Sequence, residues 1–222
     1  MVLIKTITYI YSLKKFNLNY TYMKKLILMF VFCLIIVELS AQTAREYLSP
    51  VASPQASVTQ NVGMTKISIN YSSPGVKGRN IFGELVPYDN LWRAGANSPT
   101  TIEFSTDIKI DDKILRAGKY AIAMVPRKNG NWTIDFNKEG KYPFAYRKDG
   151  KIDMDAYNAD LAQSIVTEVV VWDSSIERLT YFIDANDNKI ANVNMLWDNV
   201  IVSFEVNTMP EEHLERFAKT LE

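Results

Sequence analysis

The chain has 222 residues, of which 47% are hydrophobic, and its 25 basic residues balance its 25 acidic residues. It holds one histidine, His213, and one cysteine, Cys33; a His-rich zinc site is thereby excluded, and a Ser-His-Asp triad or a histidine base would have to use His213. The length suits one domain with its own core, and the lack of a basic excess argues against a nucleic-acid-binding surface.

Residues 1–41 are predicted to be an N-terminal extension followed by a secretory signal peptide. Two lysines precede an apolar run from Leu26 to Val37, and Leu39-Ser40-Ala41 ends on a small residue that suits cleavage. The run is shorter than the ~20 residues that a membrane-spanning helix needs, so no stable span is expected in the mature chain. The alternative is an uncleaved signal anchor. The protein is therefore expected to be exported, to the periplasm or outside the cell, and Met23 is the simplest start of translation.

Metal and cofactor chemistry is not expected. Cys33 lies inside the apolar run, so cleavage after Ala41 would leave a mature chain without a thiol. Such a chain forms no disulfide, no thiolate nucleophile and no Cys-ligated zinc site. The segment 184–195 has the alternating Asp and Asn of a calcium-binding loop but lacks its glycine and its final glutamate, so a hairpin turn is predicted there.

Residues 42–52 are predicted to be a leader segment, and residues 53–208 a single domain of short strands. Alternation of apolar and polar residues between Gly, Asn and Asp turns predicts strands at 57–62, 65–71, 100–110, 113–126, 131–137, 144–148, 164–173, 177–185, 190–198 and 199–207. Residues 72–99, rich in Gly, Pro and Asn, are expected to form a long ordered loop with one helical turn near Phe82 to Leu85. Residues 153–163 are either a weak helix or a long connection.

The predicted fold is all-β, an antiparallel β-sandwich of the jelly-roll or immunoglobulin-like type. Many short strands at close spacing, with no long amphipathic helix before residue 210, favour two packed sheets. Residues 209–222 are predicted to form a short C-terminal helix, on which His213 is solvated.

The stretch Trp92-Arg93-Ala94-Gly95-Ala96-Asn97 puts an aromatic residue, a permanent cation and a tight turn directly before a strand. One hypothesis makes it a binding rim, in which Trp92 and Arg93 line a ligand site while Asn97, at positive φ, and Glu103 orient a polar solute. The other makes it a corner of the sandwich, in which Arg93 pairs with Glu103 and Trp92 is at least half-buried. The corner is favoured, because paired arginines and half-buried tryptophans are common structural components.

The full candidate ligand-binding set is Arg79, Trp92, Arg93, Asn97, Glu103 and Tyr120. Around Tyr120 the sequence also has an architectural interpretation, in which Gly118 supplies a turn and the tyrosine ring packs over it.

Paired carboxylates are the main route to catalysis for a chain so poor in histidine and cysteine, as in glycoside hydrolysis. Nothing in the spacing of the candidates selects two of them. They are Glu84, Asp89, Glu103 and Asp135, with Tyr71, Lys119 or Tyr120 as helpers.

Four blocks of the sequence resemble one family. They are SPQASV at 53–58, YSSPGVKGR at 71–79, the segment 85–104 with LVPY and WRAGAN, and LRAGKYAIAMVP at 115–126. In these blocks, and over roughly residues 50–207, the chain is similar to the secreted bacterial family of the domain of unknown function 2911. Arg116 stands where the family often has proline, and residues 1–22 have no counterpart. The resemblance implies export and a sandwich fold, and it brings no assigned activity.

The leading functional hypothesis is an exported β-sandwich module that binds a polar ligand, such as a glycan or an envelope component, without catalysis. The alternatives are a carboxylate-based carbohydrate hydrolase and a structural accessory domain.

Overall fold

A computed structural model describes residues 20, 22–34 and 50–221. By its internal contacts the chain divides into two compact units, residues 1–51 and residues 52–222. In the first unit, helix α1 includes residues 20 and 22–34, and its apolar side chains are exposed. Among the described residues, no helix is both long and apolar enough to cross a membrane. The predicted cleavage site at Ala41 and most of the predicted leader lie outside the described residues.

The second unit is built of β-strands with two short helices. The helices are α2 (Met154–Ala159) and α3 (Pro210–Lys219), with a 3-10 turn at Pro143–Tyr146. The strands are β1 Gln55–Val62, β2 Thr65–Ser72, β3 Thr100–Phe104, β4 Ile108–Ile110, β5 Lys113–Leu115, β6 Gly118–Val125, β7 Trp132–Asn137, β8 Arg147–Lys148, β9 Lys151–Ile152, β10 Leu161–Thr167, β11 Val169–Ala185 and β12 Ile190–Asn207.

The strands form two main antiparallel sheets, which confirms the predicted all-β, sandwich-like fold. One sheet has six strands in the order β1-β2-β3-β6-β7-β10, the other has four in the order β11-β12-β4-β5, and β8 and β9 form a separate hairpin. Alternate residues face one shared core, for example Ile67 and Ile69 from the first sheet and Val193 and Met195 from the second. Each such side chain, once buried, stabilises the fold by roughly 1.5–3 kcal/mol.

The range 100–110, predicted as one strand, is two strands that lie in different sheets. β3 belongs to the six-stranded sheet and β4 to the four-stranded sheet, and the predicted strand 113–126 is divided in the same way into β5 and β6. The chain thus crosses from one sheet to the other twice, between β3 and β4 and between β5 and β6. Asp107, in the first crossing, is bonded to the second, because its carboxylate accepts hydrogen bonds from the Ala117 N–H (2.9 Å) and from Arg116 (2.8 Å). Buried apolar residues stay at even positions from Ile102 to Ile110, so the alternation gives no sign of the first change of sheet. At the second change the phase shifts between Leu115 and Tyr120.

The ranges 190–198 and 199–207, predicted as two strands, form the single strand β12. Buried apolar side chains lie at odd positions before Asp198 and at even positions after it, because this residue has a φ of +54° and shifts the alternation by one. A phase shift of this kind looks the same in sequence whether the chain turns or bulges.

The predicted turn at 173–176 is also part of a strand. The chain leaves the six-stranded sheet earlier, at Glu168, and β11 then continues through this region with shifted register. Ser175 donates a hydrogen bond to Asp198 across the two strands (2.8 Å). Both long strands therefore depart from regular pairing at the same place.

The long loop after β2 is ordered and packed, as predicted. Phe82 inserts among three tryptophan rings, with centroids 5.9 Å from Trp92, 4.8 Å from Trp132 and 5.9 Å from Trp197. The predicted helical turn near Phe82 is wrong. A short bridge between Phe82 and Val86 closes a turn there, and Gly83 takes a φ of +103° that a helix does not contain.

Two further predictions near the termini of elements need correction. The range 144–148 is mostly a 3-10 turn followed by the short strand β8, because Pro143 begins the turn without a free N–H. The predicted C-terminal helix is confirmed as α3, yet His213 is not simply solvated, since its Nε2 lies 2.8 Å from the Asp107 carbonyl oxygen. Within 153–163, the Asp153 side chain caps the short helix α2.

Candidate functional site

Trp92 is fixed to the six-stranded sheet although it lies in the long loop. Its N–H and C=O both bond to the backbone of Met124, at 2.8 Å each. β3 pairs with β6 only as far as Ile122, so Trp92 occupies the neighbouring position beyond the end of β3. The side chain is at least half-buried, as predicted, and its Nε1 donates to the Gly95 carbonyl at 3.2 Å.

The turn that follows is held by buried hydrogen bonds. Ala94 is fully buried with a φ of +53°, and its carbonyl accepts bonds from the hydroxyls of Thr100 (3.0 Å) and Tyr181 (2.8 Å). Gly95 has no room for a side chain, because a Cβ there would lie 2.5 Å from the Thr100 hydroxyl oxygen. Asn97 takes the predicted positive φ, also +53°.

This turn forms one wall of a cavity of about 380 Å³, here called the first cavity. Four of the six candidate ligand residues line it: Arg79, Trp92, Arg93 and Asn97. The sequence interpretation missed two aromatic members of the lining, Phe144 and Trp197. Trp197 was recognised only as part of an apolar strand, and Phe144 as part of a strand that does not form.

Among residues 50–221, no acidic residue lines the first cavity, although two arginines do. Arg79 donates to the backbone carbonyls of Gly75 (2.6 Å) and Val76 (3.1 Å), which holds the preceding turn in place. Asn97 donates to the carbonyl of Ser53 (3.1 Å). The cavity therefore has positive charge that its own lining does not compensate.

Two nitrogen donors of the first cavity residues lack an acceptor. The Nε of Arg93 and the Nε1 of Trp197 are buried, and neither has a hydrogen-bond partner among the described residues. A buried donor without a partner costs about 1–3 kcal/mol. Buried polar groups without a partner are rare in folded proteins, so these two donors call for an explanation.

The predicted pair between Arg93 and Glu103 is wrong. Within residues 50–221, no carboxylate lies at salt-bridge distance from Arg93, and its guanidinium lies instead 5.8 Å from the centre of the Phe144 ring. Glu103 is exposed on β3, directly across from Ser68 and Lys119. Because alternate residues of a strand face opposite sides, Ile102 and Phe104 turn inward and Glu103 turns away from the core. The corner hypothesis for Arg93 therefore fails.

Tyr120 does not line the first cavity and has the architectural role. Its ring stands over Gly118, where an added Cβ would be 3.8 Å from the tyrosine oxygen. The hydroxyl donates to the Arg116 carbonyl at 2.7 Å. Burial raises the pKa of this hydroxyl, and the nearby Asp107 carboxylate adds to the effect.

A second cavity, of about 640 Å³, shares a wall with the first. Of the four candidate carboxylates, it brings two into one lining, Asp89 and Asp135. Its positive residues are Arg127, Arg147 and Lys151. Outside it, Glu84 accepts a bond from the neighbouring Asn80 at 2.8 Å.

Asp135 is the buried polar group of the second cavity, with 5% of its surface exposed. Its carboxyl accepts hydrogen bonds from Ser164 (2.6 Å) and Tyr157 (2.9 Å). Burial raises the pKa of Asp135 above its ordinary value, although these two hydrogen bonds act in the opposite direction. The carboxyl is thus held in a defined orientation and protonates more readily than an exposed one.

Beside this carboxyl lies a second polar pair. Tyr146 donates to Asp160 at 2.7 Å and accepts from Asn137 at 2.7 Å. Burial is the largest cause that raises the pKa of Tyr146 to about 12. The hydroxyl is therefore a neutral donor at ordinary pH, and the pair braces the 3-10 turn that carries Phe144.

Comparison with known proteins identifies a family and no more. The family model described as "Protein of unknown function (DUF2911)" matches residues 53–206. No curated protein and no solved structure matches the chain. The resemblance noted in the four sequence blocks is thereby confirmed.

Proposed function

The chain belongs to the DUF2911 family, whose description assigns no activity, and we propose that its domain is a non-catalytic module that binds a polar ligand in the first cavity. The ligand is a glycan or another envelope component that bears a negatively charged group. The observation that carries the proposal is the pair of buried donors, Arg93 Nε and Trp197 Nε1, in a lining without a carboxylate.

The donors and the charges call for the same partner. An oxygen-rich anion balances the charges of Arg79 and Arg93 in a half-enclosed site where charge-assisted bonds are strong. A small shift of the Arg93 or Trp197 side chain would bring its buried nitrogen within hydrogen-bond distance of such an anion. The aromatic walls, Trp92 and Phe144, provide flat apolar faces for the carbon skeleton of the ligand. A carboxylated or phosphorylated sugar combines these properties.

Export is part of the proposal. It is supported by the order of lysines, short apolar run and small residues before Ala41. The mass of the mature N-terminus tests it: cleavage after Ala41 is the expected result, and a chain that still begins at Met1 or Met23 would contradict it.

Ligand binding can be tested with a matched pair of tryptophan variants. Trp197→Phe removes the donor without an acceptor and keeps an aromatic ring, whereas Trp132→Phe removes a donor that already bonds to the Arg127 carbonyl at 3.1 Å. D-galacturonate, D-glucuronate and glucose 6-phosphate serve as probes, with D-galactose and D-glucose as neutral controls, by calorimetry or ligand-observed NMR.

The wild type is expected to respond to at least one acidic probe and not to the neutral sugars. Trp197→Phe should weaken that response about tenfold, which corresponds to roughly 1.4 kcal/mol for one lost charge-assisted bond. Trp132→Phe should lose stability and keep the response of its folded fraction. Equal responses to acidic and neutral sugars, or to neither, would overturn the proposal.

A second candidate function, hydrolysis of carbohydrate by paired carboxylates, is favoured by one observation. Asp89 and Asp135 line the same cavity, and the raised pKa of the buried Asp135 carboxyl suits a proton donor. Turnover of chromogenic glycosides that is lost in Asp135→Asn would support it. No turnover by the wild type would leave the binding module as the proposal.

A further inference from the structure

We propose that the first and second cavities are two subsites of one groove, which binds an extended acidic oligosaccharide across the Phe144 side chain. This inference rests on the proposed function and names its ligand class. A ligand with a single charged group would suffice for the first cavity, whereas the second cavity calls for a further charged group.

The two cavities are adjacent and share part of their lining. Pro87, Asn90, Leu91 and Phe144 contribute to both. Each cavity has the volume of a small-molecule site, for which roughly 300–1,000 Å³ is typical. A ligand that enters one cavity therefore lies against the same side chains that border the other.

Phe144 stands where the two cavities meet. The guanidinium carbon of Arg93 lies 5.8 Å from its ring centre and that of Arg147 lies 5.1 Å away. Arg93 lines the first cavity and Arg147 lines the second. Phe144 is 40% exposed, so its ring can present an apolar face to a ligand while it contacts one cation from each cavity.

The second cavity also has an excess of positive charge. Of its two acids, Asp89 is paired with Arg127 and Asp135 is bonded to two hydroxyls. Arg147 and Lys151 have no acidic partner within the part of the chain that the structure describes. Both halves of the groove therefore favour anionic groups, and the ligand should carry at least two.

An oligosaccharide of uronic acids meets these requirements. Each residue of such a chain carries one carboxylate, which suits the planar fork of arginine, and each sugar ring has an apolar face that packs on an aromatic ring. Binding at two linked subsites makes the second contact intramolecular, so affinity should rise with chain length.

The experiment compares D-galacturonate with its linear trimer and hexamer by calorimetry, with a neutral galactan hexamer and a six-unit polyphosphate as controls. The test variant is Lys151→Ala, and its matched control is Lys148→Ala. The two lysines face each other across β8 and β9, and only Lys151 lines the cavity. Arg147→Ala provides a second, independent test of the same subsite.

The hexamer should bind the wild type at least tenfold more tightly than the monomer. Lys151→Ala should remove most of this gain and leave the monomer affinity unchanged, Arg147→Ala should also reduce the gain, and Lys148→Ala should behave as the wild type. A monomer that binds as tightly as the hexamer would overturn the groove and leave the proposed function standing. A stronger response to polyphosphate would overturn the sugar assignment, and no response to any acidic probe would overturn both proposals.

Discussion

Trp92 stacks on Trp197, with ring centroids 5.8 Å apart and ring planes inclined by 21°. Trp92 belongs to the long loop that pairs with the six-stranded sheet, and Trp197 belongs to the four-stranded sheet. The contact therefore crosses the sandwich and ends at the wall of the first cavity. The walls of that cavity rest on core packing, so they should be largely formed before any ligand arrives.

Replacement of Arg93 should separate binding from stability. Arg93→Ala removes a side chain that has no acidic partner in residues 50–221 and lies against Phe144. The free energy of unfolding, measured in urea, should therefore change by about 1 kcal/mol or less. The response to acidic sugars should be lost. Arg216→Ala, which removes a cation that does not line the cavity, should keep that response. A loss of about 3–5 kcal/mol on Arg93→Ala would indicate a broken buried ion pair and contradict this arrangement.

Gly63 is expected to be a site where any side chain is costly. It has a φ of +55°, and a Cβ would lie 2.3 Å from the backbone oxygen of Asn188 in the β11–β12 turn. Gly140 has a similar φ of +66° with open space around it. Gly140→Ala should therefore cost about 1 kcal/mol for the backbone strain alone. Gly63→Ala should cost about 1–3 kcal/mol more, because two backbones must move apart.

Thermal and urea unfolding of these two variants measures the difference. Equal stability of the two variants would show that the β1–β2 turn, which contains Gly63, does not contact the β11–β12 turn as described.

The pH dependence of stability should reveal the buried carboxyl of Asp135. Because its folded pKa is raised, its contribution is fully present below the ordinary value of 3.8 and is lost as the pH rises through the folded pKa. The free energy of unfolding of the wild type, relative to Asp135→Asn, should therefore decrease from pH 4 to pH 7.

Asp160 provides the control of opposite sign. The hydrogen bond from Tyr146 lowers the pKa of Asp160, with Lys141 adding to the effect. Its contribution is present above pH 3.8 and is lost as the pH falls through the lowered pKa. Urea unfolding of wild type, Asp135→Asn and Asp160→Asn from about pH 2 to about pH 7 covers both titrations and tests both. The same slope for the two variants would contradict the assignment of their environments.

Asp107 should stabilise the two crossings between the sheets. Burial raises the pKa of this carboxyl, but bonds from the Ala117 N–H, Arg116 and Arg216 outweigh it and leave the pKa lowered. Asp107→Ala should reduce the free energy of unfolding by about 1.5–3 kcal/mol, because an N–H and two guanidinium groups lose a charged acceptor. Asp173→Ala, at an exposed position, should stay within about 0.5 kcal/mol of the wild type. Equal effects of the two changes would remove Asp107 from this role.

The candidate site was predictable in part. The stretch from Trp92 to Asn97 could be identified by residue type, and the structure places it at a cavity. The partner assigned to Arg93 was wrong, since a separation of ten residues does not determine which way two side chains point. Phe144 joins the site from a distant segment, and no local pattern around it points to the loop it contacts.

The sequence by itself determined the class of fold and the residues of most strands, because alternation with a period of two is a local property of the chain. The tertiary structure decided which sheet each strand joins and where the arginines lie. Those outcomes depend on single backbone angles, such as the positive φ of Ala94 and Asp198, and on long-range contacts such as that of Tyr181 with the Ala94 carbonyl. Neither residue type favours a positive φ strongly enough to predict it, so only the packing of the complete core selects it.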